Sequence, residues 1–292
     1  MSDDLGTARW TAILALGEEP EQPAPADPVG EEGEWRGACF DGSWWVERAL
    51  ERARLVCAPS RTVVGLGRRP VRWGSMVERH PGLHLALQCQ RAGTGTAVLM
   101  AATWIARRCP DAVVALLPSD QLVSDDLRFM AHVREAMAWV ERRPEKLVLL
   151  GAEPTCGCEG GGWIVPDGRE REPWAPFPAE MVSGHDAFRP ADLVERGAYV
   201  STDVVVGTVG KVLAVASALA PAWSRAVADL MAPDEDVPHI ARGSLAPLDF
   251  IRDIVARAHG HVACLAVHDV LWSSVSRPCR PHRARLQAEA VQ

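Results

Sequence analysis

A chain of 292 residues with 48% hydrophobic and 24% charged side chains can bury a large core, and its composition is that of an ordinary globular protein. A net charge of −7 argues against a general nucleic-acid binder, which carries a basic excess, and no apolar run approaches the roughly 20 residues of a membrane span. The start, Met-Ser-Asp-Asp-Leu, is acidic where a secretory signal would be basic, which predicts a cytoplasmic location.

The elements are predicted in chain order from apolar period and turn residues. Residues 11–17 form a short apolar strand that reaches Gly17. The stretch that follows, 18–36, is rich in Pro, Glu and Gly with little to bury, and is expected to be a mobile loop. A helix starts after Ser43 and runs to about Val56, with Trp45, Ala49, Arg52 and Leu55 or Val56 stepping along its faces. Strands are expected at Thr62 to Leu66 and Leu83 to Gln88, then a largely buried helix from Thr94 to Arg108. The run Val113 to Leu117 reads as a buried parallel strand, stopped by Pro118-Ser119-Asp120. Asp125 or Asp126 starts a helix to about Glu141, with Leu127, Met130, Val133, Ala136, Met137 and Val140 on its apolar face.

Further strands are expected at Lys146 to Gly151 and at Trp163 to Val165, the second after a glycine-rich loop, and no element is assigned between Pro166 and Pro190. Beyond it, Asp192 to Arg196 reads as helix, Tyr199 to Gly207 as extended, Lys211 to Leu230 and Pro247 to Ala258 as helices, and His261 to Val267 as a strand. Residues 278–292 are expected to be a tail on a single domain spanning 1–292. Alternating strands and helices imply βαβ crossovers. The expected fold is α/β and Rossmann-like, with a mainly parallel, helix-flanked central sheet and a small mixed or antiparallel extension.

Chemistry is expected where strands end, because open α/β sheets collect ligands beyond the carboxyl ends of their strands. Asp120 stands there and offers a hard oxygen ligand for magnesium bridging nucleotide phosphates; the alternative is a turn or capping carboxylate. The loop Gln88-Cys-Gln-Arg-Ala-Gly-Thr-Gly-Thr96 lies between a strand and a helix, where bare glycines and backbone N–H groups suit a phosphate, or serve simply as turn and cap. It is neither a Walker A loop nor a dinucleotide fingerprint. Gly160-Gly-Gly-Trp163 could let a ligand approach backbone, or be a plain turn. Cys156-Gly-Cys158 is poorly spaced for a closed zinc site, and His259, His261 and His268 are explained by strand and turn placement. All but two of the 31 basic residues are arginine, the exceptions being Lys146 and Lys211.

From about Gln88 to Val165 these motifs, taken in order, resemble the bacterial mannose-1-phosphate guanylyltransferases among the sugar-nucleotide pyrophosphorylases. Gln88-Cys-Gln-Arg-Ala-Gly-Thr-Gly, Leu117-Pro-Ser-Asp-Gln121, Asp125-Asp-Leu-Arg-Phe129, Gly151-Ala-Glu-Pro154 and Gly160-Gly-Gly-Trp-Ile164 match that family's successive motifs. Ala12 to Gly17 resembles its opening strand, and Leu248 to Asp253 with Trp272-Ser273 its late helix and Trp-Ser-Asp element. The resemblance implies nucleotide contacts at Gly17, Gln88, Gly93, Thr94 and Ser119, sugar contact at Gly162, and magnesium on Asp120. It implies a nucleotide with a sugar phosphate, or a nucleotide sugar, as ligands, and no nucleic-acid or membrane partner.

Departures from the family fall on the chemistry. The opening loop is Gly17-Glu-Glu-Pro-Glu-Gln, acidic where the family grips a triphosphate with an arginine and a lysine. The sugar-phosphate lysine of Glu-Lys-Pro gives way near Ser183-Gly-His185, Trp-Asn-Ser becomes Val200-Ser-Thr202, and Trp-Ser-Asp becomes Trp272-Ser-Ser274. Two readings follow: a transferase joining sugar 1-phosphate to a nucleoside triphosphate with weak or lost activity, or a degenerate nucleotide-sugar-binding regulator. A doubly wound module using Gly65-Leu-Gly67 is a more distant alternative, lacking the third glycine.

Overall fold

The computed structural model describes residues 8–15, 43–66, 78–87, 93–154, 162–167, 175–183, 189–230 and 247–274. Gly17, Gln88, the 18–36 loop, the Cys156 and Cys158 pair and the 278–292 tail lie outside the described residues. The strands are β1 Arg9–Ala15, β2 Thr62–Leu66, β3 His84–Leu87, β4 Val113–Pro118, β5 Gln121–Val123, β6 Leu147–Ala152, β7 Gly162–Pro166, β8 Phe177–Ser183, β9 Tyr199–Thr208, β10 Val262–Val267 and β11 Trp272–Ser274. The helices are α1 Ser43–Ala53, α2 Thr94–Arg108, α3 Asp126–Arg142, α4 Pro190–Glu195, α5 Val209–Leu219 and α6 Pro221–Leu230.

Nine strands form one sheet in the order β3-β2-β1-β4-β9-β6-β10-β8-β7, and β5 pairs separately with β11. β1 to β4 are mutually parallel, as are β6 and β10. β9 runs antiparallel between these two blocks, and β8 runs antiparallel to β10. Because β9 also pairs with β7, the strands β9, β6, β10, β8 and β7 close on themselves in a barrel-like ring. This corrects the expectation of a mainly parallel Rossmann-like sheet: antiparallel strands sit in the middle of the sheet, and half of it is a closed mixed arrangement.

Two apolar layers cover the sheet, as side-chain alternation along each strand requires. Ala12 and Leu14 of β1 face a core with Val98, Leu99, Ile105, Val212 and Ala216, so α2 and α5 lie on that side. Ile13 faces the other core, with Ala49, Leu50, Phe129, Met130, Val133 and Met137 from α1 and α3. The apolar face expected of α3 is buried except at Leu127, which is 66% exposed in the first turn.

Sequence and structure differ at four other places. The helix expected over Lys211 to Leu230 is two helices, because Pro221 lacks an N–H to continue the first and is instead well suited to start the second. Residues 250–257 are a π-helical turn followed by a 3₁₀ turn rather than a regular helix. β8 was hidden by its proline-rich surroundings, and β5 by its three-residue length.

Candidate functional site

β4 stops at Pro118, and the chain then turns into β5. The buried Ser119 donates its backbone N–H to the Leu14 carbonyl at 3.1 Å, which pins the turn to β1. Gln121 opens β5 opposite Ser274 of β11 in antiparallel register. That pairing carries Ser274 to the strand end, where its hydroxyl donates to Asp120 Oδ2 at 3.1 Å.

Beneath this turn lies a buried cation. Arg52 of α1 donates through Nε to Asp126 Oδ1 at 2.8 Å and through its terminal nitrogen to the Gln121 carbonyl at 3.4 Å. Its side chain is only 4% exposed, and its guanidinium lies 6.0 Å from the Phe129 ring centre. Burial pushes the Arg52 guanidinium down from its ordinary value, although Asp126 opposes the shift. Arg48 donates to the second oxygen of Asp126 at 3.1 Å. Both arginines thus fasten α1 to the start of α3, and Arg52 holds the residue next to Asp120.

On the other side, the Gln121 side-chain amide donates to the Thr202 carbonyl. Here β9 bulges. Leu149 of β6 faces Val205 and Gly151 faces Ser201, so two steps along β6 span four along β9. Asp203 takes up the slack with φ +58, a left-handed conformation that aspartate tolerates better than most residues. Ser201 donates its hydroxyl to Asp203 Oδ1 at 2.8 Å and accepts the Asp203 N–H at 3.1 Å. Thr202 donates its hydroxyl to the Leu150 carbonyl at 2.8 Å.

Asp120, Gln121, Ser274 and the 201–203 bulge therefore form one connected group. Gly162 adjoins it, since a Cβ there would come within 3.8 Å of Ser201 Cβ. The same Cβ would lie 2.1 Å from Met181 Cε, so bareness at Gly162 makes room for Met181.

The Gly93-Thr94-Gly95 turn lies at the same edge of the sheet. β3, which precedes it, is parallel to β4 with β2 and β1 between, and three inter-strand steps amount to about 14 Å. Gly93 has φ +81, and a Cβ on it would fall 2.3 Å from the Leu248 carbonyl oxygen. Gly95 donates its N–H to that carbonyl at 2.7 Å, and Thr94 Oγ1 accepts the Phe250 N–H at 2.9 Å. The conformational freedom and the hydroxyl that the sequence offered to a ligand are engaged by residues 248–250.

No protein-family model matches this sequence, and no curated protein matches it in sequence. Solved structures do match in shape. Mannose-1-phosphate geranyltransferase from Thermus thermophilus superposes with a TM-score of 0.70 at 19% identity, over 91% of this chain and 76% of that one. Mannose-6-phosphate isomerase from Helicobacter pylori gives 0.68 at 14% identity, over 91% and 100%. A UDP-glucose pyrophosphorylase complexed with UDP-glucose gives 0.54 at 11% identity, over 98% of each chain. The chain shares its fold with these solved structures.

Asp120 and Ser119 stand together at the end of β4, and Gly162 is joined to them through Gln121 and the β9 bulge. Gly93 and Thr94 stand apart along the edge. Sequence reasoning missed Arg52, Asp126, Gln121 and Asp203. One signal was available: an arginine on the otherwise buried stripe of α1 requires a buried acid to meet it. The bulge that makes Asp203 left-handed had no comparable mark in a strand of ordinary β-forming residues.

Proposed function

We propose that the strand-end group binds a nucleotide sugar, or a nucleotide with a sugar phosphate, as a member of the mannose-1-phosphate guanylyltransferase lineage whose turnover is weak or lost. The supporting observation is the hydrogen bond between Ser274 and Asp120. It brings the third residue of the Trp-Ser-Ser motif against the strand-end acid, where the resemblance expects a second acid.

Magnesium commonly takes one or two carboxylates and completes its shell with substrate phosphates and water. Asp120 fits that mode as a single carboxylate, with the Ser274 hydroxyl beside it. No group of three metal-ligating side chains occurs among the described residues, so the metal would be held only with the nucleotide. The ion would supply charge neutralisation to the phosphates. Arg52 and Gln121 would keep Asp120 in place.

In the implied reaction a sugar phosphate attacks the α-phosphorus and pyrophosphate leaves. Such transfers depend on neutralising charge, and each lost stabilising group raises the barrier by about 2.7–4 kcal/mol. The acidic stretch after Gly17 and the serine at 274 remove several at once. The deciding measurement is calorimetric titration of GDP-mannose with and without magnesium, paired with pyrophosphate release from mannose 1-phosphate and GTP. Magnesium-dependent binding lost in Asp120→Asn, with little or no turnover, supports the proposal. Absence of binding overturns it, and robust turnover abolished by Asp120→Asn restores the active transferase.

A further inference from the structure

The chain's only two lysines converge on one corner, at the opposite edge of the sheet from Asp120. Lys146 precedes β6 and donates to the Gly260 carbonyl at 2.7 Å. Lys211, in the first turn of α5, donates to His261 Nδ1 at 3.0 Å. His261 precedes β10, and its carbonyl accepts the Leu147 N–H at 2.8 Å, which fixes the two strand starts together. A Cβ added at Gly210 or at Gly260 would meet no atom within 4 Å, so there is open space on both sides of the corner.

We propose that Lys211 is an acylation site for small acyl phosphates, with His261 taking the ammonium proton and Lys146 drawing in the phosphate. The nucleophile must be the neutral amine. Transfer of one proton from Nζ to the imidazole frees the lone pair, which attacks the acyl carbon. The new N–C bond forms as the acyl C–O bond breaks. Phosphate departs with that bond's electrons, and the second amine proton and the imidazolium proton pass to phosphate and solvent. Lys146 supplies positive charge where phosphate leaves.

Two further features favour reaction here rather than at Lys146. Burial, then the charge of Lys146, push the Lys211 ammonium below its ordinary range. Lys211 also sits at the positive end of α5, where a cation is unfavourable and a neutral amide is not. Acylation relieves both repulsions, so the modified chain retains its fold.

Having only two lysines makes the test direct. The intact protein is treated with acetyl phosphate, and acetylation at Lys211 and Lys146 is followed by peptide mass spectrometry. Lys211 is expected to react about 100-fold faster than Lys146, the lower end of what a positioned base contributes, and His261→Ala is expected to slow it by about the same factor. His261→Asn retains an acceptor but cannot take a proton, and should behave like His261→Ala. Because His261 is exposed, each variant's thermal midpoint should match wild type, which confirms that the comparison is between folded chains. Equal rates at the two lysines, or a Lys211 rate unchanged in His261→Asn, overturn the proposal.

Discussion

Ser274 Oγ donates to Asp120 Oδ2 at 3.1 Å across the short β5–β11 ribbon. A hydroxyl satisfies the carboxylate without adding negative charge, whereas a second carboxylate would repel Asp120 until a cation neutralised both. Ser274→Asp is therefore expected to lower the thermal midpoint without metal and to raise it steeply with magnesium or manganese, while the wild type responds weakly to metal alone. Melting with and without each ion checks this. A Ser274→Asp chain as indifferent to metal as the wild type would show that residue 274 does not address the Asp120 position.

Arg52 and Asp126 link α1 to α3 and, through the Gln121 carbonyl, to the strand end. Removing one partner of a buried ion pair leaves the other charge without compensation. Asp126→Ala should destabilise the fold by about 3 kcal/mol in urea titrations, with Arg48 unable to repair the loss because it is a cation too. Arg52→Lys should also weaken it, since one ammonium cannot reach both Asp126 and Gln121 as the planar guanidinium does. A midpoint unchanged in Asp126→Ala would remove this link from the account of the site.

At Gly93 the backbone has φ +81 and the Leu248 carbonyl stands where a Cβ would go. Gly93→Ala should cost about 1–3 kcal/mol for the dihedral alone, with more from displacing Leu248. Thr94→Val, which leaves the Phe250 N–H without its acceptor, should cost about 1 kcal/mol. Chemical denaturation of both variants reads these values. If instead both variants keep wild-type stability and lose nucleotide binding, the turn serves a ligand and not residues 248–250.

That turn shows why fold and site were unequally legible. The apolar periods of α2, α3, β4, β6 and β9 are local and strong, so these elements were readable to within a residue or two. The closure of β7 on β9 is long-range pairing with no local signature, so a mixed ring was read as a parallel sheet with an extension. In the site, Asp120 was visible because a polar tip ended an apolar strand. Glycines at 93 and 162 were ambiguous, because bare backbone suits a ligand and a packed neighbour equally, and the occupants Leu248 and Met181 come from other elements. Arg52 was visible in the stripe of α1, but its partner became known only once α3 was placed against α1.

Acid stability provides a test far from the strand end. Glu47 of α1 accepts from His80 at 2.8 Å and from Arg79 at 3.2 Å, tying that helix to the entry of β3. Burial opposes ionisation of Glu47, but the hydrogen bonds and charges of His80 and Arg79 outweigh it and hold the carboxyl below its ordinary range. A depressed folded-state value means that the unfolded chain takes up the proton first as pH falls. The contribution is therefore complete above the ordinary glutamate value of about 4.3 and disappears as pH falls through the lower folded value. Glu47→Gln should be less stable than wild type at pH 7, and the difference should narrow only below about pH 4.3. Urea midpoints for both chains between neutral pH and the acid limb of unfolding read this directly, and a difference that stays constant across that range would show that Glu47 stabilises by packing and not by its charge.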